Sequence, residues 1–207
     1  MPNLAELRAR IADDLARADL ATQIGDAIRD VVRLHEAERF WFNEFYRVTA
    51  TLSSSSNALA LASLPLSVLA IDKVRLQGPG TRWTDLRRID RDWLATLQDQ
   101  TMAAPPSAWG IQGDALQFDC AADRNYALLL DGVRKVSTAS ASADVSAWVN
   151  DGRDLLRAGA KRLLYLHVIK DAEQAAACAT AEIEALAMLR GKTNLKKAGS
   201  RIRPTRF

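Results

Sequence analysis

The stretch Glu38-Arg39-Phe40-Trp41-Phe42-Asn43-Glu44-Phe45 stands where a helical pattern gives way to a strand pattern, and its reading decides the fold. Four aromatics in six residues cannot all face one core from a helix, because successive helical side chains point about 100° apart. Phe40, Trp41, Phe42 and Phe45 therefore read as a hydrophobic hinge that glues a bundle of helices to an insertion. Any of these rings left exposed would be an interface anchor. Trp41 lies seven residues after Leu34 and so continues the apolar stripe before it; Phe40, one residue out of phase, points toward the insertion or a neighbouring subunit.

Upstream, two helices are expected. Leu4, Leu7, Ile11 and Leu15 fall at spacings of three and four, with Asn3 as N-cap and Glu6 three residues on. Leu20, Ile24, Ala27, Val31 and Leu34 form the second stripe, which Asp19 can cap. Downstream, 45–51, 69–76 and 125–131 are short apolar or β-branched runs, punctuated by turn sequences at Ser53–Asn57, Gly78-Pro79-Gly80, Ala104–Ser107 and Gly113-Asp114. One helix interrupts them, capped by Asp90, with Trp93, Leu94 and Leu97 facing inward. Ser137–Asp144 reads as an exposed loop.

Helical periodicity returns at 150–189. The LLYLHVI run leaves little polar face, which suits a central helix, and the alanines of 172–187 allow close helix approach. Gly191 is a natural stop. The expected fold is α+β: a helical bundle from residues 1–44 and 150–190, a β-rich insertion at 45–149, and a basic extended tail at 191–207.

Composition bounds the function. The chain has 207 residues, 48% apolar and 26% charged, an ordinary balance for a globular protein. Its longest apolar stretch, Ala58 to Ile71, is broken by Ser63, Pro65 and Ser67, so no membrane span is expected. Residues 1–10 read as a helix start rather than a secretion signal. Cys120 and Cys178 fit neither a disulfide framework nor a zinc site and read as small buried apolar groups in a reducing compartment.

Residues that could carry chemistry are few. His35 and His167 have no nucleophile at working spacing, and His35 with Glu36 and Glu38 makes no metal motif. Serines 53–56 lack the setting of a nucleophile elbow, and no glycine-rich phosphate loop is present. No catalytic residue, metal site or cofactor is expected.

Charge is distributed unevenly. Arg190, Lys192, Lys196, Lys197, Arg201, Arg203 and Arg206 crowd the last 18 residues with no acid, whereas the remaining chain has 21 cations against 25 acids. Such an arm meets either nucleic acid or an acidic protein surface. A net acidic body and one aromatic in the tail, Phe207, argue against a stacking platform for nucleic acid.

The order of segments also matters. LAELRARIADDLAR leads to ERFWFNE, then to LPLSVLAIDKVRL, WTDLRRID and PPSAWGIQGDALQF, and finally to AWVNDGRDLLRAGAKRLLYLHVIKD with an alanine-rich last helix. Over residues 3–190 this arrangement resembles the head-to-tail adaptor (connector) proteins of tailed bacteriophages, particularly short-tailed ones. The resemblance implies a structural virion protein: a twelve-subunit ring below the portal that extends the DNA channel and offers a platform to the tail or nozzle protein. It implies synthesis in the host bacterial cytoplasm and residence at the head–tail junction, with DNA passing through unread. On this reading Arg190, Lys192, Lys196, Lys197, Arg201, Arg203 and Arg206 dock on the portal with Leu195, Ile202 and Phe207 as apolar anchors, and the loops of 45–149 face the nozzle. The alternative from the residues alone is a small DNA-binding or packaging accessory protein acting through the basic tail.

Overall fold

The computed structural model describes residues 3–78, 80–98, 102–136 and 146–198. It divides into a helical unit, Met1–Phe42 with Val136–Phe207, and a β-unit, Asn43–Lys135. Both ends of the chain thus build the helical unit. The divisions fall a little inside the expected 44/45 and well before the expected 149/150. Val136 belongs with the helices because the Trp148 indole N–H donates to its carbonyl at 3.0 Å.

Helix α1 (Leu4–Leu15) begins where the Glu6 amide donates to Asn3 Oδ1 at 2.9 Å, and it buries Leu4, Leu7, Ile11 and Leu15. Helix α2 (Ala21–His35) buries Ile24, Ala27, Ile28, Val31, Val32 and His35. Asp19 does not cap it; its carboxylate accepts from Arg17 beside the short 3-10 turn Ala18–Leu20. Leu34 also departs from expectation, being 60% exposed. The inward stripe passes through residues 31, 32 and 35, which turns position 34 toward solvent.

Because α2 ends at His35, the helical phase does not carry on to Trp41. The turn that follows sends Phe40 and Phe42 into the core and leaves Trp41 half-buried on its edge. Phe40 stacks on Phe42 with centroids 5.3 Å apart, and Trp148 meets both edge-on at 5.6 and 5.1 Å. Phe45 belongs to the β-unit core instead.

After the short α4 (Ala147–Asp151) comes α5 (Arg153–Leu164), which lies against α1, α2 and the last helix, α6 (Ala172–Ala198). Gly159 makes the crossing possible: a Cβ there would sit 2.8 Å from Val31. Beside it, His35 Nε2 lies 3.1 Å from Glu182 Oε1, and Arg162 donates to the other oxygen of Glu182. Arg157 forks onto Asp14 at 2.6 and 2.7 Å and ties α5 to α1. The apolar run expected as a central helix is instead a corner. Residues Tyr165–Ile169 widen into a π-turn closed by Lys170 in the left-handed region, and Leu166 and Val168 are exposed.

The β-unit has two four-stranded sheets. One orders β1 (Glu44–Leu52), β8 (Tyr126–Arg134), β3 (Val68–Gln77) and β4 (Trp83–Asp85), all antiparallel. The other orders β2 (Ala58–Ala60), β7 (Ala115–Phe118), β6 (Ala108–Gln112) and β5 (Arg87–Arg88), with β5 parallel to β6. Residues of both sheets share one core, including Phe45, Ile71, Val74, Trp109, Phe118, Tyr126 and Leu128. A bulge in β1 holds Arg47 at φ +57°, where Asp131 accepts its amide at 2.6 Å and the Arg75 guanidinium at 2.6 Å. Helix α3 (Arg91–Gln98) is capped by Asp90, which accepts the Trp93 amide at 2.9 Å. Leu94 is buried as expected, but Trp93 faces solvent; Leu97 lies outside the described side chains, and Ser137–Asp144 outside the described residues.

Two outcomes are expected. Phe40→Ala should destabilise the helical unit by about 3–5 kcal/mol in denaturant titrations followed by circular dichroism, and Trp41→Ala by distinctly less. A larger loss for Trp41→Ala would mean that the α2 phase does reach residue 41. The second concerns acid. Burial pushes the Glu182 carboxyl up, but the bonds from His35 and Arg162 outweigh it and hold the group below its usual value. A depressed carboxyl contributes stability that is complete above its unfolded value and is lost as pH falls through the folded one. Glu182→Gln should therefore lower stability at neutral pH and flatten its fall through the acidic carboxylate range. An unchanged pH slope in the same titrations would contradict the assignment.

Candidate docking site

Two of the sequence-predicted docking residues, Arg190 and Lys196, meet the turn after α2, which carries Glu38 and one hinge aromatic, Trp41. Helix α6 starts at Asp171, which accepts the Gln174 amide at 3.0 Å, and buries Ala175, Cys178, Glu182, Leu189 and Thr193 along one face. Gly191 was expected to stop it. The helix instead continues to Ala198, so the first part of the predicted extended tail is helical. An interior glycine costs about 1 kcal/mol relative to alanine. Leu189 and Thr193 bracket Gly191 and are 3% and 2% exposed, and their burial holds the helix through it. The Thr193 hydroxyl adds a bond to the Leu189 carbonyl at 2.9 Å.

Two side-chain contacts fasten this last stretch to the turn after α2. The Arg190 guanidinium forks onto Glu38 at 2.5 and 3.2 Å, which raises the arginine above its usual value. Lys196 Nζ stands 4.1 Å from the centre of the Trp41 ring. Both contacts are exposed and screened, so they orient the helix end more than they stabilise it. Their geometry explains the half-burial of Trp41: one edge packs on the core, and the ring carries a cation.

The remaining described tail residues face outward. Lys192 and Lys197 are exposed, and Leu195 is 78% exposed. Met188 precedes Leu195 by two helical turns and shares its face, which gives an exposed apolar pair flanked by cations. Arg201, Ile202, Arg203, Arg206 and Phe207 lie outside the described residues. Of the hinge aromatics, the structure brings only Trp41 to this surface; Phe40 and Phe42 are core, and Phe45 belongs to the β-unit.

Sequence reasoning missed the partners Glu38 and Glu182. Glu38 stands in the quoted hinge, and its pairing with Arg190 spans 152 positions that no local pattern connects. Cys178 is buried, and burial raises its thiol; Cys120 is only half-buried, its thiol donating to the Ala104 carbonyl at 3.4 Å. Among the described residues no cluster of three or more histidine, cysteine or acidic side chains could hold a metal. No described helix is long and apolar enough to cross a membrane.

No curated protein matches the chain. A family model described as the SU10 adaptor protein matches residues 2–205, nearly the whole length and both units. That match bears out the resemblance to phage head-to-tail adaptors: this chain belongs to the SU10 adaptor protein family.

Proposed function

We propose that this adaptor is a non-catalytic virion component that joins the portal to the tail or nozzle protein. Copies of it form a ring, twelve by the family resemblance, that continues the DNA channel at the head–tail junction. The chain is made in the host cytoplasm and assembles on the portal as a template. DNA passes through the ring without being read, since a body with more acids than cations offers it no strong hold.

One observation supports this reading above the others. The acid-free, cationic end of the chain is launched from the body by a helix whose direction is set by Leu189, Thr193, Arg190–Glu38 and Lys196–Trp41. A fixed helical base followed by a cationic segment suits docking on an acidic protein surface, where charge sets encounter rate and register. Lys192, Leu195, Lys196 and Lys197 present the base; Arg201, Ile202, Arg203, Arg206 and Phe207 continue it. The portal takes this end, and the loops of the β-unit face the tail.

Pull-down on portal rings tests the proposal. Removing residues 199–207 should leave the circular dichroism of the folded chain unchanged and abolish portal attachment. Reversing the charge of Lys192 and Lys197 should slow association more than it speeds release. Full attachment by the truncated chain would move the docking surface elsewhere. Duplex DNA binding that is lost on truncation, with a log–log salt slope of about −0.9 per phosphate contacted, would favour the DNA-binding accessory instead.

A further inference from the structure

We propose that the outer face of α6 is a contact with a second copy of this chain, in which two α6 helices lie antiparallel about a two-fold axis at Met188. The proposal rests on the helical unit alone and is independent of the portal reading.

Helix α6 has 27 residues, a length of about 40 Å, and it buries side chains along one face only. Ala181, Met188 and Leu195 follow one another at seven-residue intervals and so form a stripe on a different face. All three are exposed, Met188 at 68% and Leu195 at 78%. At its Ala181 end the stripe borders an open groove between α5 and α6, a cavity of about 410 Å³. Ala158 of α5 and Ala177, Ala181 and Ala185 of α6 line it with small side chains. Arg157 and Lys161, on its α5 side, are already bound to Asp14. The stripe therefore has a hollow about two turns before Met188 and a protruding leucine about two turns after it.

Charge selects the occupant. The acids of α6, Glu173, Glu182 and Glu184, all precede Leu189, and its cations, Arg190, Lys192, Lys196 and Lys197, all follow it. Glu182, Arg190 and Lys196 are engaged within the unit. Glu184 and Lys192, four residues either side of Met188, are exposed and have no ion pair among the described residues. A helix with the same division of charge fits this one when it runs the opposite way. About an axis at Met188, Lys192 of each copy meets Glu184 of the other, and Leu195 of each enters the groove at Ala181 of the other. Moving the axis by half a heptad would set Glu184 beside its own copy in one direction and Lys192 beside its own in the other. Such a self-complementary contact closes at two copies. It describes the free chain before assembly, since Met188, Lys192 and Leu195 cannot serve a second copy and the portal at once.

Sedimentation equilibrium of the full chain tests this, with circular dichroism of each variant to confirm folding. The 22.7 kDa chain should show a reversible equilibrium between one and two copies. Leu195→Glu should weaken association about tenfold or more. Glu184→Lys and Lys192→Glu should each weaken it about threefold or more, and the two together should restore it, because the exchanged charges meet only across the axis. Ile183→Glu should leave it unchanged: Ile183 is 68% exposed but lies about 140° round the helix from Met188. A single copy at every concentration, assemblies larger than two, no rescue by the double exchange, or equal weakening by Ile183→Glu would each overturn the proposal.

Discussion

The contact on which the rest depends is the packing of Phe40 and Phe42 against Trp148. Phe42 is the last residue before the chain leaves the helical unit, and Trp148 binds the carbonyl of Val136, the first residue after its return. On the β side, the Arg134 amide donates to the Asn43 carbonyl at 2.8 Å. Departure and return are thus held side by side. A 93-residue unit can be inserted there without pulling the helices apart, because only neighbouring points of the chain are joined.

With the ends brought together, α5 can lie between α2 and α6, and the glycine at 159 allows contact too close for any other residue. The Glu182 cluster then fixes the crossing with polar specificity, since each of its two oxygens has a partner from a different helix. The turn carrying Glu38 and Trp41 is placed by α2, and Arg190 and Lys196 are placed by α6. The proposed docking base is therefore a product of the crossing. Neither helix alone would make it.

Much of this was legible in the sequence. The inward stripe of α1, the N-caps Asn3 and Asp90, the strands near 45–51, 69–76 and 125–131 and the return to helix near 150 follow from periodicity and turn chemistry, which are local. What local pattern could not supply is where a period ceases to apply. The seven-residue spacing from Leu34 to Trp41 looked helical, yet the helix ends at His35 and Phe40 takes the core position. Gly191 looked like a stop because the burial of Leu189 and Thr193 on either side of it comes from tertiary packing that no local pattern shows. The alanines of 172–187 promised a close approach, and α6 does pack along α5; the glycine at 159, which lets α5 come close to Val31, had no such signal. The tail's charge was plain from composition; its helical base was not.

The family match and the fold describe the same object from two sides: a structural adaptor with one all-helical unit and one unit built on two sheets. The central claim is that both ends of the chain make a single helical unit into which the β-unit is inserted. Excising residues 43–135 and closing the gap with a short glycine–serine linker tests it most directly. Far-UV circular dichroism during denaturant unfolding should show a helical protein that unfolds in one cooperative transition. A product without cooperative unfolding, or one whose two ends unfold separately, would contradict the claim.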